Sequence, residues 1–341
     1  MEELIHGYLI SLPTLLLAAI IVVSLGVLSK GADVLVDEAV ILSFKWGVPK
    51  MIIGATIISL GTTLPEASVS VLAAMQGNAD LALGNAIGSI IADTGLIIGL
   101  ASLLGHLPIE KLVVERQGKI QLGAGILLAV VCLPFLSPGE GGNISRMVGI
   151  LFLVLLGLYI YYSIKWSKIT DALGPGDEDG IEITKEADGS VLLLIGKIFA
   201  AIAMVILSSK VLISSVEITA VRVGIPQSVI AATLIAFGTS LPELITAVNA
   251  VRKGHGELAV GNIVGADILN VLFVVGSAAA VTPGGLVVPS NYFKLQIPAM
   301  VIILLVFRFF TKKRGDSITK PEGIVLLGMY FVYLALNYLW I

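Results

Sequence analysis

Apolar residues recur along the chain in runs long enough to cross a bilayer, with short polar turns between them. The runs cover about residues 9–29, 36–72, 80–104, 119–136, 146–164, 190–212, 214–250, 257–281, 293–311 and 321–340. A spanning helix needs about 20 apolar residues, so the pattern predicts an all-α integral membrane protein with ten transmembrane helices. The second and seventh runs exceed one straight span, and Gly and Pro interrupt both. They are expected to be broken helices. The first run follows Met1-Glu2-Glu3 without the basic segment of a signal peptide, so it is expected to be a retained span.

Composition sharpens this picture. Apolar residues make up 57% of the 341 and charged residues 13%, with a mean hydropathy of +1.00. Soluble domains carry about 25% charge, so these helices have too few polar faces for water. A net charge of −3 with scattered basic residues gives no footprint for nucleic acid. One cysteine, Cys132, excludes a disulfide framework, and His6, His106 and His255 are too far apart in sequence to suggest a histidine-ligated metal centre.

The basic residues predict the orientation. Fifteen, including Lys30, Lys111, Arg116, Lys165 and Lys312, fall at or beside turns on one side, against Arg146, Lys210 and Lys294 on the other. The positive-inside bias places both termini outside the cell and the 165–189 connection in the cytoplasm. That connection carries Asp171, Asp177, Glu178, Asp179, Glu182, Glu186 and Asp188. It lacks the alternating ligand spacing of an EF-hand and is expected to be a solvated acidic linker. Three units follow: a five-helix repeat over 1–164, the linker over 165–189, and a second five-helix repeat over 190–341.

The division into halves rests on an internal repeat. Gly-Thr-Thr-Leu-Pro-Glu at 61–66 returns as Gly-Thr-Ser-Leu-Pro-Glu at 238–243. The same offset pairs Pro49 with Pro226, Gly84-Asn85 with Gly261-Asn262, Gly88 with Gly265, and Asp93 with Asn270. An odd number of spans per half makes the halves enter the membrane with opposite orientation. Inverted repeats of this kind are a transporter architecture, with the site at the midplane between broken helices.

The repeat also carries the chemistry. Glu66 and Glu243 lie inside long apolar segments, where an ionised group costs several kcal/mol. A symmetry-related pair in matching motifs points to a site rather than to two carboxyls that snorkel or pair structurally. Pro65 and Pro242 lack an N–H and free carbonyls near Gly61 and Gly238. Thr62 and Thr63 precede Glu66 by four and three residues, so hydroxyls and carboxylate are expected on one helix face, with Thr239, Ser240 and Glu243 repeating the arrangement. Asn85, Ser89 and Asp93 form a second polar stripe, matched by Asn262, Ala266 and Asn270. The neighbouring glycines allow close helix packing. Asp267, beside the second stripe, fits either a carboxylate supporting the site or a group lining its cavity. All these candidates are hard oxygens. They disfavour zinc and copper and suit Ca²⁺, or Na⁺ with fewer ligands.

At these residues the sequence resembles the cation/Ca²⁺ exchanger superfamily, in particular its sodium/calcium exchanger branch. The motifs at 61–66 and 238–243 look like the cores of that family's two alpha repeats, and 84–89 and 261–266 like their second halves. The resemblance implies a central Ca²⁺ site at Glu66 and Glu243 with Thr62 and Thr239, and with Asp93 and Asn270 completing the ring. It implies Na⁺ sites at Thr63, Ser240 and Ser89, with carbonyls near Ser59 and Ala236. Two departures stand out. Family members often have an amide where Asp93 stands and an acid where Asn270 stands, so the pair is exchanged between halves. Ala266 lacks the hydroxyl of Ser89.

The expected function is therefore alternating-access exchange of Na⁺ for Ca²⁺, with the ions as cargo and no cofactor. Two carboxylates about 4 Å apart repel by roughly 4 kcal/mol at an effective dielectric of about 20, so the site should change sides only when cations neutralise it. A Ca²⁺/H⁺ exchanger is the nearest alternative, with K⁺-dependent exchange as a variant. A Ca²⁺-permeable channel is the alternative of a different class. The expected partners are Ca²⁺, Na⁺, H⁺ as the alternative counter-ion, and the lipid bilayer. No enzymatic motif is present.

Overall fold

The structure is a computed structural model and describes residues 7–134, 142–170, 190–224, 238–312 and 316–339. Apart from four strands of two or three residues, its elements are helices. Helix α1 (Thr14–Trp46) is 33 residues long, about 50 Å at 1.5 Å per residue, and exceeds a hydrocarbon core of about 30 Å. The boundary expected near residues 30–35 does not exist, and Lys30 lies within α1 rather than at a turn. The polar residues there continue as helix because neighbouring chain supplies counter-charges. Lys253 pairs with Asp33 at 3.4 Å and Asp37 at 2.8 Å, and Lys197 pairs with Glu38 at 2.7 Å. The turn comes instead at Gly47, whose positive φ of 61° lets the helix end in a left-handed residue. Helix α7 (Val191–Arg222) likewise runs through the boundary expected at 212–214 and ends before Gly224, at φ 84°.

Helix α2 (Lys50–Thr62) meets α3 (Leu64–Met75) at a 44° bend. Pro65 sits in the first turn of α3, where its missing N–H costs no helical hydrogen bond. Next come α4 (Ala79–Leu104), strand β1 (Leu107–Pro108), α5 (Lys111–Val131), β2 (Gly142–Ile144) and α6 (Arg146–Thr170). After α7, the described chain resumes before α8 (Leu241–Arg252), with Pro242 in its first turn. Then follow α9 (Gly256–Val281), β3 (Leu286–Val288), α10 (Gln296–Lys312), β4 (Ser317–Ile318) and α11 (Lys320–Leu339).

Among the described residues, six helical segments are long and apolar enough to cross a membrane. They are α1, α4, α6, α7, α9 and Ser290–Lys312, and the bent α2–α3 pair makes a seventh. The protein is an all-helical membrane protein. Helices α4 and α9 are its centre: 72% and 94% of their spanning windows are buried, against 22–33% for the outer four. The outer helices turn large apolar side chains outward, among them Leu15, Val22, Phe199 and Phe309, as lipid contact requires.

The offset of the sequence repeat holds in the helices that carry the motifs. Helix α8 has the boundaries of α3 shifted by that offset, and α9 those of α4. The turns between them are made by Gly77 (φ 78°) and Gly254 (φ 80°) at matching positions. A π-helical stretch begins at Asp93 in α4 and at its counterpart Asn270 in α9. A third, Gly54–Ile58, lies in α2. The strands link the halves, with β1 pairing antiparallel to β4 and β2 to β3.

Glycine sets the distance between α9 and α2. A Cβ on Gly261 would collide with the Met51 carbonyl, and one on Gly265 would lie 2.5 Å from the Ala55 carbonyl oxygen. A Cβ on Gly54 would lie 2.5 Å from the Leu258 carbonyl oxygen. This backbone-to-backbone contact brings the polar stripe of α9 against the end of α2.

Candidate ion-binding site

The hydroxyls preceding each Pro-Glu reach across to the opposite half. Thr62 Oγ1 donates to Asn262 Oδ1 at 3.4 Å, and its counterpart Thr239 Oγ1 donates to Asn85 Oδ1 at 2.9 Å. Thr63 Oγ1 donates to Glu243 Oε1 at 3.5 Å. The counterpart Ser240 lies close to Glu66 and Asp93 and donates to Ser89 Oγ at 3.1 Å. Thr62 and Thr63 lie before the bend that precedes Glu66, and their hydroxyls bond to the second half.

Asn85 is fixed from both ends. While its Oδ1 accepts from Thr239, its Nδ2 donates to the Glu66 carbonyl at 3.1 Å and to Ser70 Oγ at 3.0 Å. It thereby joins α3, α4 and the chain before α8. Tyr159 of α6 donates to the Ala55 carbonyl at 2.9 Å, inside the π stretch of α2. The Ser59 carbonyl accepts the Thr63 N–H at 2.9 Å. Ala236 lies outside the described residues.

Glu66, Glu243, Asp93 and Asn270 are each 1% exposed. Among the described residues, neither carboxylate oxygen of Glu66 has a hydrogen-bond partner, and Glu243 Oε2, Asp93 Oδ1 and Asn270 Oδ1 also lack one. The charges of Glu66, Glu243 and Asp93 act on one another. Burying a charge without a partner is costly, and buried polar atoms are almost always satisfied. A cation supplies what these oxygens lack. Among the described residues no three acidic, histidine or cysteine side chains converge as a metal cage. A bound ion would therefore draw on hydroxyl, amide and carbonyl oxygens as well as carboxylates, a ligand mixture suited to Ca²⁺ and Na⁺.

The halves differ in three places. Ala266 offers no hydroxyl at the position of Ser89, so Thr63 has no partner like the one Ser240 has. Asp93 and Asn270, at matching positions, are both buried and differ in charge. Asp267 is 2% exposed, and its Oδ2 accepts from Thr94 Oγ1 at 2.5 Å and from Gln121 Nε2 at 2.6 Å. Thr94 follows Asp93 in the chain, so its bond brings Asp267 to the part of α4 that carries Asp93. Thr94 and Gln121 do not stand out in the sequence. The available signal is a pair of amides, Gln117 and Gln121, one turn apart in an apolar helix.

The model of the family described as "Sodium/calcium exchanger protein" matches residues 16–165 and 193–339. Inner membrane protein YrbG of Escherichia coli (strain K12) is 33% identical over 329 residues, covering 95% of this chain and 97% of that protein. Sodium/calcium exchanger MaX1 of Methanosarcina acetivorans is 28% identical over 343 residues, covering 92% and 96%. A structure of the sodium-calcium exchanger NCX_Mj, soaked with Na⁺ and no Ca²⁺, superposes with a TM-score of 0.79 at 24% identity over 95% of this chain and 99% of that one. That likeness shows a shared fold. The family motifs fall on the buried oxygen cluster, and the family model matches most of the chain: this multi-pass membrane protein belongs to the sodium/calcium exchanger family of transporters.

Proposed function

We propose that the chain is a ten-helix antiporter built from two inverted five-helix repeats, exchanging Na⁺ for Ca²⁺ by alternating access. The observation that carries this reading is the buried Glu66–Glu243 pair, with three of its four carboxylate oxygens unpartnered among the described residues. In this reading Ca²⁺ binds at Glu66 and Glu243 with Thr62 and Thr239, and Asp93 and Asn270 complete the ring. Na⁺ binds at Thr63, Ser240 and Ser89 with carbonyls near Ser59 and Ala236. The site is a substrate site, and no resident cofactor is needed. Emptied, the cluster keeps its negative charge in a low-dielectric interior, where crossing the membrane centre is costly. Loaded with Ca²⁺ or several Na⁺ it is neutralised, and the two access states interconvert. Counter-transport follows because either load neutralises the cluster and the two fillings are mutually exclusive.

The hydroxyls favour Na⁺ over H⁺ as the counter-ion, since a proton needs none of them. The family match supports cation/Ca²⁺ exchange as the chemistry. The test is Ca²⁺ uptake into proteoliposomes loaded with Na⁺, with K⁺, or with acid. Uptake driven by the Na⁺ gradient is expected. Uptake driven only by the pH gradient would assign Ca²⁺/H⁺ exchange, a K⁺ requirement would assign the K⁺-dependent variant, and flux without any counter-gradient would assign a channel. The basic-residue bias supports extracellular termini and a cytoplasmic 165–189 linker. Asp179→Cys in a Cys132→Ala background is expected to react only with label on the cytoplasmic side, and labelling from outside intact cells would reverse the orientation.

A further inference from the structure

The cluster of Asp267, Thr94 and Gln121 falls outside the repeat. At the repeat's offset the counterparts of Asp267 and Thr94 are Ile90 and Val271, both apolar. The opposite half therefore packs these two equivalent positions without polar groups, and the fold itself does not call for them. A buried ionisable group among apolar helices is often less stable than an apolar replacement of similar volume. Its presence on one side only points to a ligand.

The hydrogen bonding is lopsided in a way that locates that ligand. Thr94 and Gln121 both donate to Asp267 Oδ2, at 2.5 and 2.6 Å. Asp267 Oδ1 has no partner among the described residues, and neither has Asp93 Oδ1. Asp267 and Asp93 are 2% and 1% exposed, and their charges act on each other. Thr94, the residue after Asp93, spends its hydroxyl proton on Asp267, accepts from Gln121 Nε2 at 3.5 Å and keeps one lone pair for a further partner. Two donors ease the charge on one oxygen of one carboxylate, and Asp267 Oδ1 and Asp93 Oδ1 are left without a partner among the described residues.

We propose that Asp267 and Asp93 hold a monovalent metal cation of their own, beside the Glu66–Glu243 site, with the Thr94 hydroxyl as a further oxygen ligand and Gln121 easing part of the charge on Asp267 Oδ2. The inference builds on the reading of Glu66 and Glu243 as a cation site. A divalent ion such as Ca²⁺ takes six to eight oxygens. Fewer are available here, and one negative charge is already eased by two donors, which leaves a monovalent ion as the fit. The site adds a charge-neutralising ion that the repeat motifs do not account for, and makes the ion stoichiometry depend on a residue outside those motifs.

The experiment is equilibrium binding of radioactive Na⁺ to the purified full-length protein, without Ca²⁺ and with choline as the balancing ion. Asp267→Asn keeps the volume and is expected to bind one Na⁺ fewer per chain than the wild type. An unchanged count would overturn the proposal. Gln121→Leu guards against a misfolded first variant. It removes a donor while keeping the carboxylate, so the cation must offset more charge, and Na⁺ is expected to bind that site about threefold tighter or more. Unchanged or weaker binding would contradict the proposal, because a merely structural cluster can only loosen when the bond is lost. Na⁺-driven Ca²⁺ uptake by the same wild-type preparation keeps the two readings apart. A preparation that binds Na⁺ with this pattern but does not exchange Ca²⁺ defeats the proposed function and leaves the second site standing.

Discussion

Thr239 and Asn85, 154 residues apart in the chain, are joined by a 2.9 Å hydrogen bond from Thr239 Oγ1 to Asn85 Oδ1. The same bond recurs between their repeat counterparts, Thr62 and Asn262, at 3.4 Å. The repeat is thus an exchange of contacts, in which each half's hydroxyl is received by the other half's amide. Because Asn85 also holds the Glu66 carbonyl at 3.1 Å, the cross-half bond is mechanically tied to the start of the helix that carries a glutamate.

Thr239→Val is expected to leave a buried Asn85 oxygen without a donor and to lower stability by about 1–3 kcal/mol. Thr239→Ser keeps the donor and should retain most of it. Thermal unfolding of the purified protein in detergent checks both. Equal stability of the Val variant and the wild type would mean that the bond contributes nothing.

Gly261 allows α9 to lie against α2, where a Cβ would meet the Met51 carbonyl. Backbone cannot swing aside as a side chain can, so Gly261→Ala should cost about 1–3 kcal/mol or more and reduce the recovery of monodisperse protein. Gly157→Ala is the control, since a Cβ there meets nothing within 4 Å. It should be neutral or mildly stabilising, by up to about 1 kcal/mol. Size-exclusion profiles and melting temperatures of the two variants give the comparison. Equal behaviour would remove the packing argument for the 261–265 glycines.

Asp93 and Asn270 occupy matching positions, each at the start of a π-helical stretch. If total charge of the shared ring governs transport, exchanging them restores it. Asp93→Asn alone should lose most Ca²⁺ uptake, and Asp93→Asn with Asn270→Asp should regain much of it. The measurement is Na⁺-driven uptake by the wild type, both single variants and the double variant. A double variant as inactive as Asp93→Asn would show that position, and not summed charge, matters.

Much of this site is legible in the sequence because the repeat marks it twice. Glu66 with Glu243, Thr63 with Ser240, and Asp93 with Asn270 stand at one offset, and a pair of ionisable groups inside apolar runs is costly to keep unless it binds something. Helix ends are less legible. The charges of Asp33, Asp37 and Glu38 look like a turn along the chain, yet α1 continues through them because Lys253 and Lys197, from the second half of the sequence, neutralise them. The direction of the hydroxyls is also hidden. Spacing relates Thr62 and Thr63 to Glu66 of their own segment but does not record that their hydroxyls bond to Asn262 and Glu243 of the other half. Asp267 stands out as a charge, but its partners Thr94 and Gln121 come from two other helices, a relationship that no local pattern records.

The central claim is that Glu66 and Glu243 form the Ca²⁺ site. It is tested most directly by radioactive Ca²⁺ uptake into Na⁺-loaded proteoliposomes containing the wild type, Glu66→Gln or Glu243→Gln, each matched for inserted protein. Glutamine keeps the size and removes the charge, so both variants should fold and insert. The account predicts robust uptake by the wild type and a loss of at least about a hundredfold in each variant, the size of effect expected when a charged group of a buried pair is removed. Wild-type uptake by either correctly inserted variant would contradict it.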